Sequence, residues 1–113
     1  MGFNNTQVVN FDALRSVAHG SVTSSYVALG TPFTHFVRLM KLVNNTDGDM
    51  LFSFDGVNDQ IIVPAGSATI YDFNTNRILH DQLFVLQSNS QIYVKYSSAP
   101  TTGTVYAECV WGE

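Results

Sequence analysis

From Met50 to Phe54 the chain alternates: Met50, Phe52 and Phe54 on one parity, Leu51 and Ser53 on the other. That period of two marks a strand with one face in a core. The run Gln91 to Tyr96 repeats it, with Ile92, Val94 and Tyr96 against Gln91, Tyr93 and Lys95. Between Thr104 and Trp111, the set Val105, Ala107, Cys109 and Trp111 is more apolar than Thr104, Tyr106, Glu108 and Val110. The first-named sets are expected inside, which makes Cys109 a small core hydrophobe. Further β-rich runs at Val22 to Leu29, Phe36 to Val43, Gln60 to Val63, Ala68 to Phe73 and Leu83 to Gln87 bring the strand candidates to eight. Their spacing predicts an all-β chain: one jelly-roll-like β-sandwich of about eight antiparallel strands over residues 21 to 113.

Helical periodicity is confined to Phe11 to Ala18, where Asn10 is a candidate cap and Phe11, Leu14, Val17 and Ala18 share one face. Gly20 is the expected stop. A helix this short has no stability of its own. Residues 1 to 20 are therefore read as an N-terminal arm with a short helix. Its Phe3, Val8, Val9, Phe11 and Leu14 have no home in a compact domain of this size and are expected to dock on a neighbouring subunit.

Turn chemistry sets the boundaries. Asp47-Gly48 lies in Asn44 to Asp49 between two apolar runs and predicts a hairpin, as does Asp55-Gly56; Pro64-Ala65-Gly66 marks a third turn. Asn74 to Gln82 is the most polar long connection.

Composition narrows the function. Of 113 residues only 12% are charged, and the balance is −4. A strong counterion-release term is therefore absent, and nucleic acid is not an expected partner. No apolar run approaches the ~20 residues of a membrane-spanning helix. The N-terminus lacks a basic region followed by an apolar block, so synthesis in the cytoplasm is expected. One cysteine, Cys109, allows no internal disulfide and no multi-cysteine zinc site.

Sets of catalytic groups are not formed. His19, His35 and His80 lie in separate inter-strand regions. Asp47, Asp49, Asp55 and Asp59 cluster in sequence, which raises a calcium site or a carboxylate pair. They also occupy turn positions that favour Asp for its backbone bonding alone. Asn4 and Asn44 begin Asn-x-Thr triplets, which matter only in a secretory pathway. Tyr93 and Tyr106 fall on the outward parity of their strands, as partner-contact or sugar-binding aromatics. No cofactor is expected.

A resemblance extends this reading. Leu42-Val43-Asn44-Asn45-Thr46-Asp47, Phe52-Ser53-Phe54-Asp55-Gly56-Val57, Pro64-Ala65-Gly66, Tyr71-Asp72-Phe73, Gln91-Ile92-Tyr93-Val94-Lys95 and Ala99-Pro100-Thr101 followed by Gly103-Thr104-Val105-Tyr106 resemble a family of small structural virion proteins of tailed double-stranded DNA bacteriophages. The resemblance spans about residues 36 to 111. It implies a non-enzymatic, homo-oligomeric β-domain that decorates and cements the capsid, with itself and other virion proteins such as the major capsid protein or portal as partners. A head–tail connector ring beneath the portal is the alternative, and a carbohydrate- or receptor-binding sandwich using Tyr93, Tyr106 or Trp111 a second. The contact residues expected on this reading are Phe3, Val8, Val9, Phe11, Leu14, Tyr93 and Tyr106.

Overall fold

Two ten-residue strands, Val37–Thr46 and Gly103–Gly112, form the spine of the protein. The computed structural model describes residues 9–73 and 89–112. In chain order its strands are β1 (Val9–Phe11), β2 (Arg15–Ala18), β3 (Val27–Ala28), β4 (Val37–Thr46), β5 (Met50–Ser53), β6 (Ile61–Val63), β7 (Ser67–Asp72), β8 (Tyr93–Tyr96) and β9 (Gly103–Gly112).

They form two antiparallel sheets. The five-stranded sheet runs β1-β9-β4-β7, with β2 also paired to β9, and the four-stranded sheet runs β3-β8-β5-β6. The pairing is nested: β2 with β9, β3 with β8, β4 with β7, β5 with β6. That is one long hairpin with its tip at residues 54–60, rolled up so that β9 also pairs β4 and β8 also pairs β5. The result is a jelly roll.

The inward faces meet in a single core. Val37, Met40 and Leu42 of β4, and Val105, Ala107 and Cys109 of β9, lie against Met50 and Phe52 of β5, Val63 of β6 and Val94 of β8, with Leu29, Phe33 and Ile92 from the connections. The alternations in β5, β8 and β9 thus point as their sequence predicts. In β4 the register slips between Val37 and Leu39, so that the pairing with β9 steps over position 38. This bulge turns both Val37 and Met40 inward, three residues apart, where a regular strand would send one of them out. Cys109 is buried, and desolvation pushes its thiol up to about 11.

Expectations are corrected in two places, the N-terminal third and one turn. Phe11 to Ala18 is not helical: β1 and β2 occupy the edge of the five-stranded sheet, and the short 3-10 turn His19–Ser21 follows them. Phe11 pairs with Val110 and Arg15 with Ala107, so four steps of chain oppose three steps of β9. The extra residue reverses the in-out parity between Phe11 and Arg15. Two strand fragments out of phase mimic a helical repeat. Residues 9–18 are therefore part of the sandwich and not an arm beside it. The Val22 to Leu29 run is likewise mostly connection, with only Val27–Ala28 in β3.

The second correction concerns Asp47-Gly48, which joins β4 to β5 across the two sheets and is no hairpin. Gly48 is needed because a Cβ there would stand 2.2 Å from the Ser98 carbonyl oxygen. The Asp55-Gly56 turn does close a hairpin, β5–β6, with Gly56 at φ +73. The Leu83 to Gln87 strand candidate and the Asn74 to Gln82 connection lie outside the described residues.

Candidate functional site

Residues directly opposite in antiparallel strands point to the same side of the sheet. The outer face of the five-stranded sheet can therefore be read row by row. One row is Ser16, Tyr106, Val43 and Ala68; the next is Glu108, Lys41 and Ile70; the third is Phe11, Val110, Leu39 and Asp72. Apolar side chains predominate on the face, with Ser16, Lys41, Glu108 and Asp72 as the polar members of these rows. Phe11 is 82% exposed, Ile70 63% and Leu14 58%. Fully burying each of these side chains is worth roughly 1.5–3 kcal/mol. Leu14 forms the wall of an open groove of about 440 Å³ whose floor is Lys41, Val43, Asn45, Tyr106 and Glu108.

Three expected contact residues, Phe11, Leu14 and Tyr106, come together on this face. Tyr93 does not join them. It lies half-buried on the outer face of the other sheet, with its ring against Gly56. Val9 pairs with Gly112 in β1, and Phe3 and Val8 lie outside the described residues. Sequence reasoning missed Leu39, Val43, Ile70 and Val110 as members of the face. Their signal was present, since they are the apolar residues on the parity opposite the core, but it has meaning only once β4, β7 and β9 are known to be neighbours.

The sheet edge beside the groove is held by a buried cation. Arg15 Nε donates to the Thr31 carbonyl at 3.1 Å, and one terminal nitrogen pairs with Asp12 at 3.0 Å. Its stem fills the space a Cβ on Gly30 would need.

The aspartates are each committed to separate work. The Asp55 carboxylate accepts the Asn58 and Val57 backbone N–H groups at 2.8 Å each and the Ser53 hydroxyl at 2.7 Å; these bonds hold it far below the usual carboxylate range. Asp47 accepts the Thr101 hydroxyl and N–H, which lower it, and Asp49 accepts the Ala65 N–H at 2.9 Å. Asp59 is lowered by the Tyr26 hydroxyl at 2.6 Å and by Lys95 at 3.1 Å. Burial and the same contact with Asp59 push the Tyr26 phenol up. Among the described residues no three His, Cys, Asp or Glu side chains are grouped to hold a metal ion.

The remaining candidates are also placed. The His19 ring meets the Gly103 carbonyl at 3.1 Å, and His35 stacks on Trp111 at 3.5 Å between centroids. His80 lies outside the described residues. Asn44, the head of one Asn-x-Thr triplet, is fully buried and donates to the Gly48 and Val63 carbonyls. It is a strut of the core and inaccessible for modification. Comparison with family models, with curated proteins and with solved structures finds no match to this chain.

Proposed function

We propose that the chain is a non-enzymatic structural protein of a tailed-phage virion, homo-oligomeric, which decorates and cements the capsid through protein–protein contacts. The observation that carries this reading is the outer face of the five-stranded sheet, where Phe11, Leu14 and Ile70 stand exposed and Leu14 and Tyr106 line one groove. A contiguous apolar face with a sparse charged component has the composition of a subunit contact. Jelly rolls serve in viral capsids and also in lectins, so the fold supports the reading by analogy alone. The resemblance of residues 36 to 111 supplies the virion context. The commitment of Asp47, Asp49, Asp55 and Asp59 to their own loops favours a scaffold over a hydrolase. Tyr26, Lys95 and Asp59 bond one another on the four-stranded sheet's side, which weighs against a sugar platform there.

Mass spectrometry of gradient-purified particles of the encoding phage tests the reading. Many copies per particle, with rebinding of the purified chain to heads lacking it, is the expected result. Absence from particles overturns it. Electron microscopy of the same heads separates copies spread over the shell from a single ring at one vertex, the connector arrangement.

A further inference from the structure

Lys41 and Glu108 are direct neighbours across β4 and β9 in the middle of the apolar face, yet they form no ion pair with each other. Elsewhere Arg15 does pair with Asp12, and Lys95 with Asp59. A cation and an anion side by side, each unpaired among the described residues and ringed by Leu39, Val43, Tyr106, Val110 and Ile70, are complementary to one particular object: the same face turned over.

The geometry follows from the register. A two-fold axis lying in the interface, parallel to the strands and midway between β4 and β9, exchanges the two sides of the sheet while keeping each row level. Lys41 then stands over the partner's Glu108, and Glu108 over the partner's Lys41. In the next row Val43 meets the partner's Tyr106, and in the third Leu39 meets the partner's Val110. Ile70, one strand further out, covers the side on which Leu14 stands. Over the two central strands apolar groups meet apolar groups and opposite charges meet, as an isologous contact requires, while on the outer strands Ser16 comes over the partner's Ala68 and Phe11 over the partner's Asp72, at the rim of the contact. Two such sheets pack face to face at about 10 Å.

We propose that the outer face of the five-stranded sheet closes on a second copy of this chain about that axis, with reciprocal Lys41–Glu108 pairs fixing its register. The inference rests on the contact role given to this face above and names its occupant. Like charges set opposite one another in an interface cost several kcal/mol, so charge reversal is a decisive probe.

The full chain is followed by sedimentation equilibrium up to about 0.3 mM, where a dimer with a Kd of about 100 μM or tighter is the main species. The wild type is expected to be dimeric. Lys41→Glu and Glu108→Lys, each alone, are expected to weaken it at least ~10-fold, because each sets like charges in both reciprocal pairs. Their equimolar mixture is expected to form the heterodimer, since the two reversed side chains then face each other with opposite charges and the two native ones do the same. A wild type that stays monomeric, single variants that dimerise like the wild type, or a mixture no tighter than its components overturns the proposal. Should a reversal prevent folding, carbodiimide crosslinking of mixed isotopically light and heavy wild-type chains decides. A Lys41–Glu108 link carrying both labels supports the dimer; its absence, or a link within one label only, overturns it. A monomer that still binds heads overturns the dimer and not the virion role, while a dimer absent from particles does the reverse.

Discussion

The Arg15 guanidinium carbon lies 4.2 Å from the centroid of the Phe33 ring, at the seam between the edge strand β2 and the connection that follows β3. Phe33 is 1% exposed and the Arg15 side chain 8%, so this cation–π contact is made almost without water. The charge remains tolerable there because Asp12 and the Thr31 carbonyl take up its donors. Removing the side chain strips the packing on Phe33 and leaves Asp12 without its counter-charge. Arg15→Ala is expected to cost about 2–4 kcal/mol in urea unfolding. Arg15→Met, which keeps the stem against Phe33, is expected to lose less. Equal losses for the two variants would remove the packing half of this account.

Asn44 does a comparable job in the middle of β4. Its amide donates to the Gly48 and Val63 carbonyls at 2.8 and 2.9 Å, while its oxygen accepts from the Thr46 N–H and hydroxyl. One side chain thus ties β4, the crossing to β5 and the end of β6. Asn44→Ala leaves the Val63 carbonyl without this donor and the Thr46 N–H without this acceptor, each worth about 1–3 kcal/mol. A loss of about 2–4 kcal/mol is expected in denaturant titration. Asn44→Asp turns a carboxylate toward two carbonyl oxygens, which raises its folded pKa. Protonation relieves that repulsion, so this variant is expected to be closest to wild type below about pH 4 and to fall behind as pH rises. A deficit independent of pH would contradict the geometry.

The strands whose apolar residues alternate cleanly were legible in the sequence, because β5, β8 and β9 each turn one apolar parity into the core and need no knowledge of their neighbours; Ser53, on the other parity of β5, is nevertheless fully buried. Three features were not. The β1–β2 segment carries a one-residue slip that produces spacings of three and four without a helix, and only pairing with β9 exposes it. Asp47-Gly48 has the composition of a hairpin, but the requirement it meets is a close approach to Ser98, which is distant in sequence. The contact face was half legible. Phe11, Leu14 and Tyr106 stood out as apolar groups with no core to enter. That they form one surface with Lys41 and Glu108 depends on β4 and β9 being adjacent, although they lie far apart in the chain.

Acid stability follows from the loop carboxylates. Asp55, Asp47 and Asp59 are all held below the ordinary carboxylate range by hydrogen bonds to the ionised form. A depressed folded pKa means that the unfolded chain binds protons first as pH falls. The contribution is therefore complete above the unfolded value near ~3.9 and is lost as pH drops through the folded values. The melting temperature is expected to be flat from neutrality to about pH 5 and to fall below about pH 4. Asp55→Asn is expected to be less stable than wild type at neutral pH, with the gap narrowing in acid. A gap that stays constant would assign the acid transition to other groups.

Two left-handed glycines separate backbone strain from steric exclusion. Gly66, at φ +71, ends the turn in which the Ser67 N–H donates to the Pro64 carbonyl, and a Cβ there would meet nothing within 4 Å. Gly103, at φ +99, opens β9 opposite Thr46 of β4, and its Cβ would fall 1.9 Å from the Asn45 carbonyl oxygen and 2.8 Å from the Thr46 Cα. Both neighbours are backbone in the β4–β9 ladder, in which Thr46 pairs with Gly103, so neither can yield without breaking the pairing. Gly66→Ala is expected to cost only the left-handed penalty of about 1–2 kcal/mol, and Gly66→Asn less. Gly103→Ala is expected to cost at least about 3 kcal/mol, because the strand must separate from its partner at that point. Thermal melts of the three variants check the order. Equal melting temperatures for the two alanine variants would mean that the Gly103 end of the ladder opens freely, and would place the start of β9 outside the cooperative core.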